Sequence, residues 1–152
     1  MKCCRGAELY GMMFGAAFFG CDRIAVDTGN PAVYLRYIKL LREFFRAKSL
    51  SDAMLSDIQD GDTVTSVLDA VGIDRASVPT HIDRGMIKCQ FCGWSFVKGV
   101  FLSCGTITSP ENSYHLEFLM RDEDSAAQFA AFLEELGTSP RITERGDRAR
   151  GI

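Results

Sequence analysis

The sequence lacks the features that mark several large functional classes. No apolar run reaches the roughly 18–20 residues that a membrane span needs. Positive charge is not in excess, because the formal net charge is −3 and the pI is about 5.4, which argues against a basic nucleic-acid coat protein. Neither a G-x-x-x-x-G-K-[ST] nor a G-x-G-x-x-G motif is present, so we predict no nucleotide and no other cofactor.

Histidine is scarce, and the N-terminus lacks a basic stretch. His81 and His115 form no Ser/His/Asp or Cys/His arrangement with other residues, so nucleophilic catalysis is not indicated. Arg5 and Glu8 interrupt the apolar N-terminal segment, so we expect no signal peptide. A chain of 152 residues is long enough to bury a core without disulfides, so we interpret the six cysteines as thiols of a reducing cytosol. We expect a cytoplasmic, nucleoid-associated protein.

What the chain does contain is one pattern repeated in each half. The first copy runs from Cys4 to Ala17, and the second runs from Cys92 to Gly105. Each copy is an apolar segment with small residues at four-residue spacing, which leaves a flat stripe on a helix where two backbones approach closely. We predict that the two helices cross through the small residues Gly11, Gly15, Gly99 and Ser103.

Periodicity predicts the remaining elements. We expect helices over about 3–17, 31–46, 61–71, 88–103 and 123–136, and strands over 18–27, 105–109, 114–120 and 141–145. Residues 47–60 are weakly patterned and predict one strand at most. The order predicts two pseudo-symmetric α/β halves, each helix-strand-strand-helix-strand, at 1–73 and 87–146, with a linker at 74–86 and a tail at 147–152.

This order, with a glycine-marked helix opening each half, resembles the LAGLIDADG homing-endonuclease fold. The closer resemblance is to the WhiA sporulation and cell-division regulators, and it rests on the segments 2–9 and 98–117. The second segment reads KGVFLSCGTITSPENSYHLE, which is long and specific. The resemblance implies an N-terminal, non-catalytic module of a DNA-binding transcription regulator. It also implies DNA as a partner, weakly or through a helix-turn-helix domain, and leaves a protein partner open.

Two departures from the family pattern bear on function. The C-terminal helix-turn-helix has no counterpart here, so we expect either a fragment of a longer protein or a shortened relative. In active endonucleases of this fold, an acid at the eighth motif position binds divalent metal. Ala16 and Cys104 occupy those positions here, and neither holds Mg²⁺, which requires oxygen ligands. We therefore predict no catalytic residues and no enzyme, with a degenerate nuclease as the alternative.

Two further sets of residues are candidates for binding. Cys89 and Cys92 form a C-x-x-C motif, and Cys3 and Cys4 begin the partner helix. We interpret these four as packing residues, with a four-thiolate zinc interaction module as the alternative. The second set lies on predicted strands, where the family's sheets face the duplex, and comprises Arg23, Arg141 and Arg145 as DNA-contact candidates.

Overall fold

The computed structural model describes residues 1–109, 111, 113–145 and 148–151, and side chains as far as residue 144. Within them the helices are α1 (Lys2–Phe14), α2 (Pro31–Phe44), α3 (Asp52–Ser56), α4 (Gly61–Val71), α5 (Cys92–Cys104) and α6 (Glu123–Glu135). The strands are β1 (Phe18–Phe19), β2 (Ile24–Ala25), β3 (Asp57–Ile58), β4 (Gly105–Thr108), β5 (His115–Leu119), β6 (Ile142–Arg145) and β7 (Arg148–Gly151). Two 3-10 turns, Arg75–Ser77 and Arg84–Met86, lie between the halves.

Local chemistry sets the helix ends. The Asn30 side chain accepts hydrogen bonds from the first turn of α2, where Pro31 is the first helical residue. Asp60 and Asp122 cap α4 and α6 in the same way. Helix α4 ends at Gly72, whose φ of 87° is a left-handed conformation that favours glycine.

The strands form two small antiparallel sheets, one in each half. The first has the order β1-β2-β3, and the second has the order β4-β5-β7-β6. Helices and small antiparallel sheets together confirm the predicted mixture of helix and strand. The second sheet is the larger because its strands have four or five residues, against two in each strand of the first.

The structure corrects three sequence predictions. Residues 47–60 hold the short helix α3 as well as strand β3. Residues 147–152, predicted to form a tail, include strand β7, which pairs with both β5 and β6. The residues of β7 show no apolar alternation, so the sequence pattern did not indicate a strand there. Helix α5 begins at Cys92 rather than near Lys88.

Helices α1 and α5 lie at the centre of the molecule. Nine of the thirteen residues of α1 are buried, and the two helices contact each other more extensively than any other pair of described elements. Residues of both halves join one hydrophobic core, and the predicted linker contributes Ile82 and Met86 to it. The Tyr10 hydroxyl accepts a hydrogen bond from the Asp83 N–H at 2.9 Å, which fixes that linker on α1. Among the described residues, no helix combines the length and apolar character that crossing a bilayer requires.

Candidate functional site

The α1 and α5 backbones touch directly at two glycines. A Cβ placed on Gly11 would lie 2.0 Å from the Phe96 carbonyl oxygen. A Cβ on Gly99 would lie 2.0 Å from the Glu8 carbonyl oxygen. Both distances are far below van der Waals contact, so only glycine fits at either position. Along the seam, later residues of α1 contact later residues of α5, so the two helices run in parallel.

The other two predicted interface residues lie one turn further along the same seam. A Cβ on Gly15 would lie 3.2 Å from the Ser103 Cβ, an approach that is tight but less severe. The Ser103 hydroxyl donates a hydrogen bond to the Met12 carbonyl oxygen at 2.5 Å. The structure therefore brings Gly11, Gly15, Gly99 and Ser103 into one helix interface.

A cleft of about 490 Å³ opens where the two helices end. In the resembling endonucleases this is the place of the metal-binding acids, but the side chains here are Ala16 and Cys104. Ala16 is only 2 % exposed. Burial raises the pKa of the Cys104 thiol to about 12, so it is neutral at physiological pH. Asp27 is the only carboxylate among the described residues that line the cleft, so the pair of acids is missing.

Arg121 lines the same cleft, and no motif in the sequence indicated a role for it. Its guanidinium donates hydrogen bonds to the Phe14 carbonyl oxygen and, at 2.6 Å, to the Pro79 carbonyl oxygen. It thereby caps the C-terminal end of α1, where the helix dipole favours a cation. Its charge also opposes binding of a divalent cation in the cleft.

The three arginines predicted to contact DNA have different surroundings. The Arg23 guanidinium is held by both carboxylate oxygens of Asp57 at 3.0 and 2.9 Å, and it lies 3.9 Å from the centre of the Phe18 ring. Arg141 is exposed and immediately precedes β6. Arg145 ends β6, and its side chain lies outside the described residues. Since Asp57 offsets the charge of Arg23, this residue is a weaker phosphate ligand than the sequence suggested.

An ion-pair network around the buried carboxylate of Glu8 joins three helices beside the glycine seam. The Glu8 carboxylate accepts two hydrogen bonds from the Arg36 guanidinium, both at 2.8 Å, and one from Lys98 at 3.3 Å. The Glu8 side chain is only 5 % exposed. Burial acts to raise the pKa of Glu8, but hydrogen bonds from Arg36 and the charge of Lys98 outweigh it and hold the pKa below its ordinary value. Arg36 lies on helix α2, and the periodicity of the sequence gives no sign of this pairing with α1.

Four thiols gather at the opposite, N-terminal end of the helix pair. The Cys89 Sγ lies 3.8 Å from the Sγ of Cys3 and 3.5 Å from the Sγ atoms of Cys4 and Cys92. The Phe91 N–H and the neighbouring thiols lower the pKa of Cys89 to about 7. Burial and the hydrogen bond with Cys89 raise the pKa of Cys4 to about 11. The remaining cysteines, Cys21 and Cys104, are elsewhere in the fold.

Comparison with known proteins gives consistent results. The family model described as WhiA LAGLIDADG-like domain matches residues 94–150. A probable cell division protein WhiA from Desulforudis audaxviator is 26 % identical over 95 % of this chain and 51 % of the relative. A second, from Clostridium novyi, is 29 % identical over 91 % of this chain and 50 % of the relative. The chain spans about half the length of the curated relatives it matches. The chain is thus similar to WhiA proteins over most of its length, and residues 94–150 match a WhiA LAGLIDADG-like domain.

Proposed function

We propose that this chain is a non-catalytic module of a WhiA-like DNA-binding regulator of cell division or sporulation. Its role is to position a DNA-reading domain or a protein partner and to add weak DNA contacts of its own. The observation that carries the proposal is the cleft at the helix ends. The paired helices are present there, but Ala16 and Cys104 stand where a nuclease needs two acids, and Arg121 adds positive charge.

The names of the relatives support the biological setting. Two of the relatives that match most of this chain are named probable cell division protein WhiA. The chain spans about half of each relative. The role of the whole relative in cell division is therefore assigned to this chain only as part of our proposal.

The charge distribution supports weak rather than specific DNA contact. The chain has a net charge of −3, and Asp57 offsets Arg23. Phosphate affinity is built from clustered cations, and sequence reading needs bidentate side chains presented to base edges. On the second sheet, Thr106, Thr108, His115 and Glu117 lie on one face because Thr106 pairs with Glu117 and Thr108 pairs with His115. None of these four residues is an arginine or a lysine that would bind a phosphate group.

We expect no DNA cleavage by the purified chain. Supercoiled plasmid is incubated with the protein and Mg²⁺ or Mn²⁺, and nicked and linear products are measured on gels. The expected result is no product above the protein-free reaction, because one carboxylate, Asp27, cannot replace two metal-binding acids. An Asp27→Ala variant is the matched control. Nicking by the parent that disappears with both a chelator and Asp27→Ala would contradict the proposal.

We expect duplex DNA binding to be weak, independent of sequence and only moderately sensitive to salt. Each phosphate neutralised contributes about −0.9 to the slope of log K against log salt, so three arginines give a slope no steeper than about −3. Binding of promoter and scrambled duplexes is measured at several salt concentrations. Arg141→Gln should weaken binding to both duplexes, whereas Arg75→Gln, which removes an arginine between the two halves that lies 3.9 Å from Asp69, should not. A salt-resistant preference for the promoter would show that this chain itself reads sequence.

A further inference from the structure

The thiols of Cys3, Cys4, Cys89 and Cys92 form one compact group at the N-terminal end of the helix pair. All four Sγ atoms lie within 4.8 Å of one another. Cys92 is buried and the other three are half-buried, so the group is shielded but not inaccessible. Apolar packing alone does not require four sulfur atoms from two distant segments to converge on one point.

The spacing of the sulfur atoms fits a tetrahedral metal site. With Zn–S bonds of about 2.3 Å, the sulfur atoms of a tetrahedral zinc site are about 3.8 Å apart. The distances from the Cys89 Sγ to the other three are 3.8, 3.5 and 3.5 Å. Since no pair exceeds 4.8 Å, small side-chain rotations suffice to place all four sulfur atoms around one ion.

Adjacent cysteines rarely ligate one ion together, but the structure places the sulfur atoms of this pair beside the same third thiol. Cys3 and Cys4 lie in the first turn of α1, and both Sγ atoms contact the single Sγ of Cys89. Cys89 precedes α5, so the segment before that helix reaches across to both thiols. The C-x-x-C spacing then brings Cys92, the first residue of α5, to the same group.

The surroundings suit a negatively charged centre. A zinc ion with four thiolates carries a net charge of −2. The N-termini of α1 and α5 meet at this group, and the positive end of a helix dipole stabilises negative charge.

We propose that Cys3, Cys4, Cys89 and Cys92 bind one zinc ion in a closed, structural site. Four sulfur ligands and no oxygen or nitrogen donor select zinc over magnesium or calcium. All four positions around the ion are occupied by protein, so no site remains for water or substrate. The ion joins the start of α1 to the start of α5 and fixes the N-terminal end of a seam whose middle is set by Gly11 and Gly99.

The test is metal content combined with matched cysteine variants. The chain is purified under reducing conditions from zinc-supplemented cells, and metals are measured by mass spectrometry. We expect about one zinc per chain, as for a single structural site. Cys89→Ser should lose the metal, because Cys89 contacts all three other thiols. Cys21→Ser and Cys104→Ser, which alter the two cysteines outside the group, should keep it.

A second measurement does not depend on the folding of a variant. Cobalt is titrated into the chelator-treated parent chain, and absorption is recorded. Intense bands of tetrahedral cobalt with thiolate charge transfer, displaced by one equivalent of zinc, would support the site. A chain that purifies without metal and shows no such bands would overturn it. So would iron in place of zinc, or a disulfide among these cysteines in the freshly purified reduced chain.

Discussion

Replacing Gly99 by alanine should strongly destabilise the protein. Alanine in a helix interior is ordinarily about 1 kcal/mol more favourable than glycine. Here its Cβ would lie 2.0 Å from the Glu8 carbonyl oxygen and 2.8 Å from the Met12 nitrogen. Both neighbours are backbone atoms of a central helix, so the helices must separate. We expect a loss of about 3 kcal/mol or more in the free energy of unfolding, at the upper end of overpacking costs. Chemical denaturation of the purified chain measures it.

Two further variants make this result specific to the helix seam. Gly29→Ala is the matched control, because its Cβ would meet nothing within 4 Å, and it should change stability by no more than about 0.5 kcal/mol. Gly11→Ala should behave like Gly99→Ala, since its Cβ would lie 2.0 Å from the Phe96 oxygen. The double variant should cost less than the sum, because either change alone already parts the helices. A Gly99→Ala protein as stable as its parent would show that the seam is not closely packed.

The sequence predicted the central helices well because their signal is local and repeated. Small residues at four-residue spacing identify the face of α1 that α5 meets, and the same spacing occurs in the second copy. Helix caps at Asn30 and Asp122 were also recognisable, since capping depends on one side chain and the adjacent backbone. Strand β7 was missed because its place between β5 and β6 depends on backbone pairing between segments that are distant in sequence.

The site was predictable in part. The absence of an acid at Ala16 and Cys104 could be read from the motif alone. The approach of Cys3 and Cys4 to Cys89 was considered from the sequence, but its closeness depends on the parallel crossing of two helices. The contact of Arg36 with Glu8 was not predictable, because the solvated side of one amphipathic helix gives no sign that a buried carboxylate lies within reach.

Replacing Arg36 by methionine should destabilise the fold through Glu8. In this variant the Glu8 carboxylate, which is 5 % exposed in the parent, loses the Arg36 guanidinium. Among the described residues, Lys98 is then its remaining cationic partner. Removing one partner of a buried pair costs about 3–5 kcal/mol, and the partial exposure of Arg36 and the presence of Lys98 reduce this. We expect a loss of about 2–3 kcal/mol at pH 7, measured by chemical denaturation.

Arg5→Met provides a matched control on the same helix pair. Arg5 contacts Glu43 at 2.8 Å, the same distance as between Arg36 and Glu8. Its partner carboxylate is 34 % exposed and remains hydrated when the arginine is removed. Exposed pairs of this kind contribute about 0–1 kcal/mol, so Arg5→Met should be nearly neutral. Equal losses for the two variants would show that burial of Glu8 does not determine the cost.

The pH dependence of the Arg36→Met loss should identify Glu8 as its source. In the parent the pKa of folded Glu8 lies below its unfolded value, so its contribution is present above about pH 4.3 and is lost as the pH falls through the folded pKa. In the variant the pKa of folded Glu8 should rise, because burial still penalises the carboxylate and the Arg36 hydrogen bonds are gone. Protonation of Glu8 in the variant then removes the unpaired charge.

The stability difference between parent and variant should therefore shrink as the pH falls from 7 towards 4, and Glu8→Gln should abolish that change. A difference that stays constant with pH would assign the loss to the packing of the arginine side chain instead.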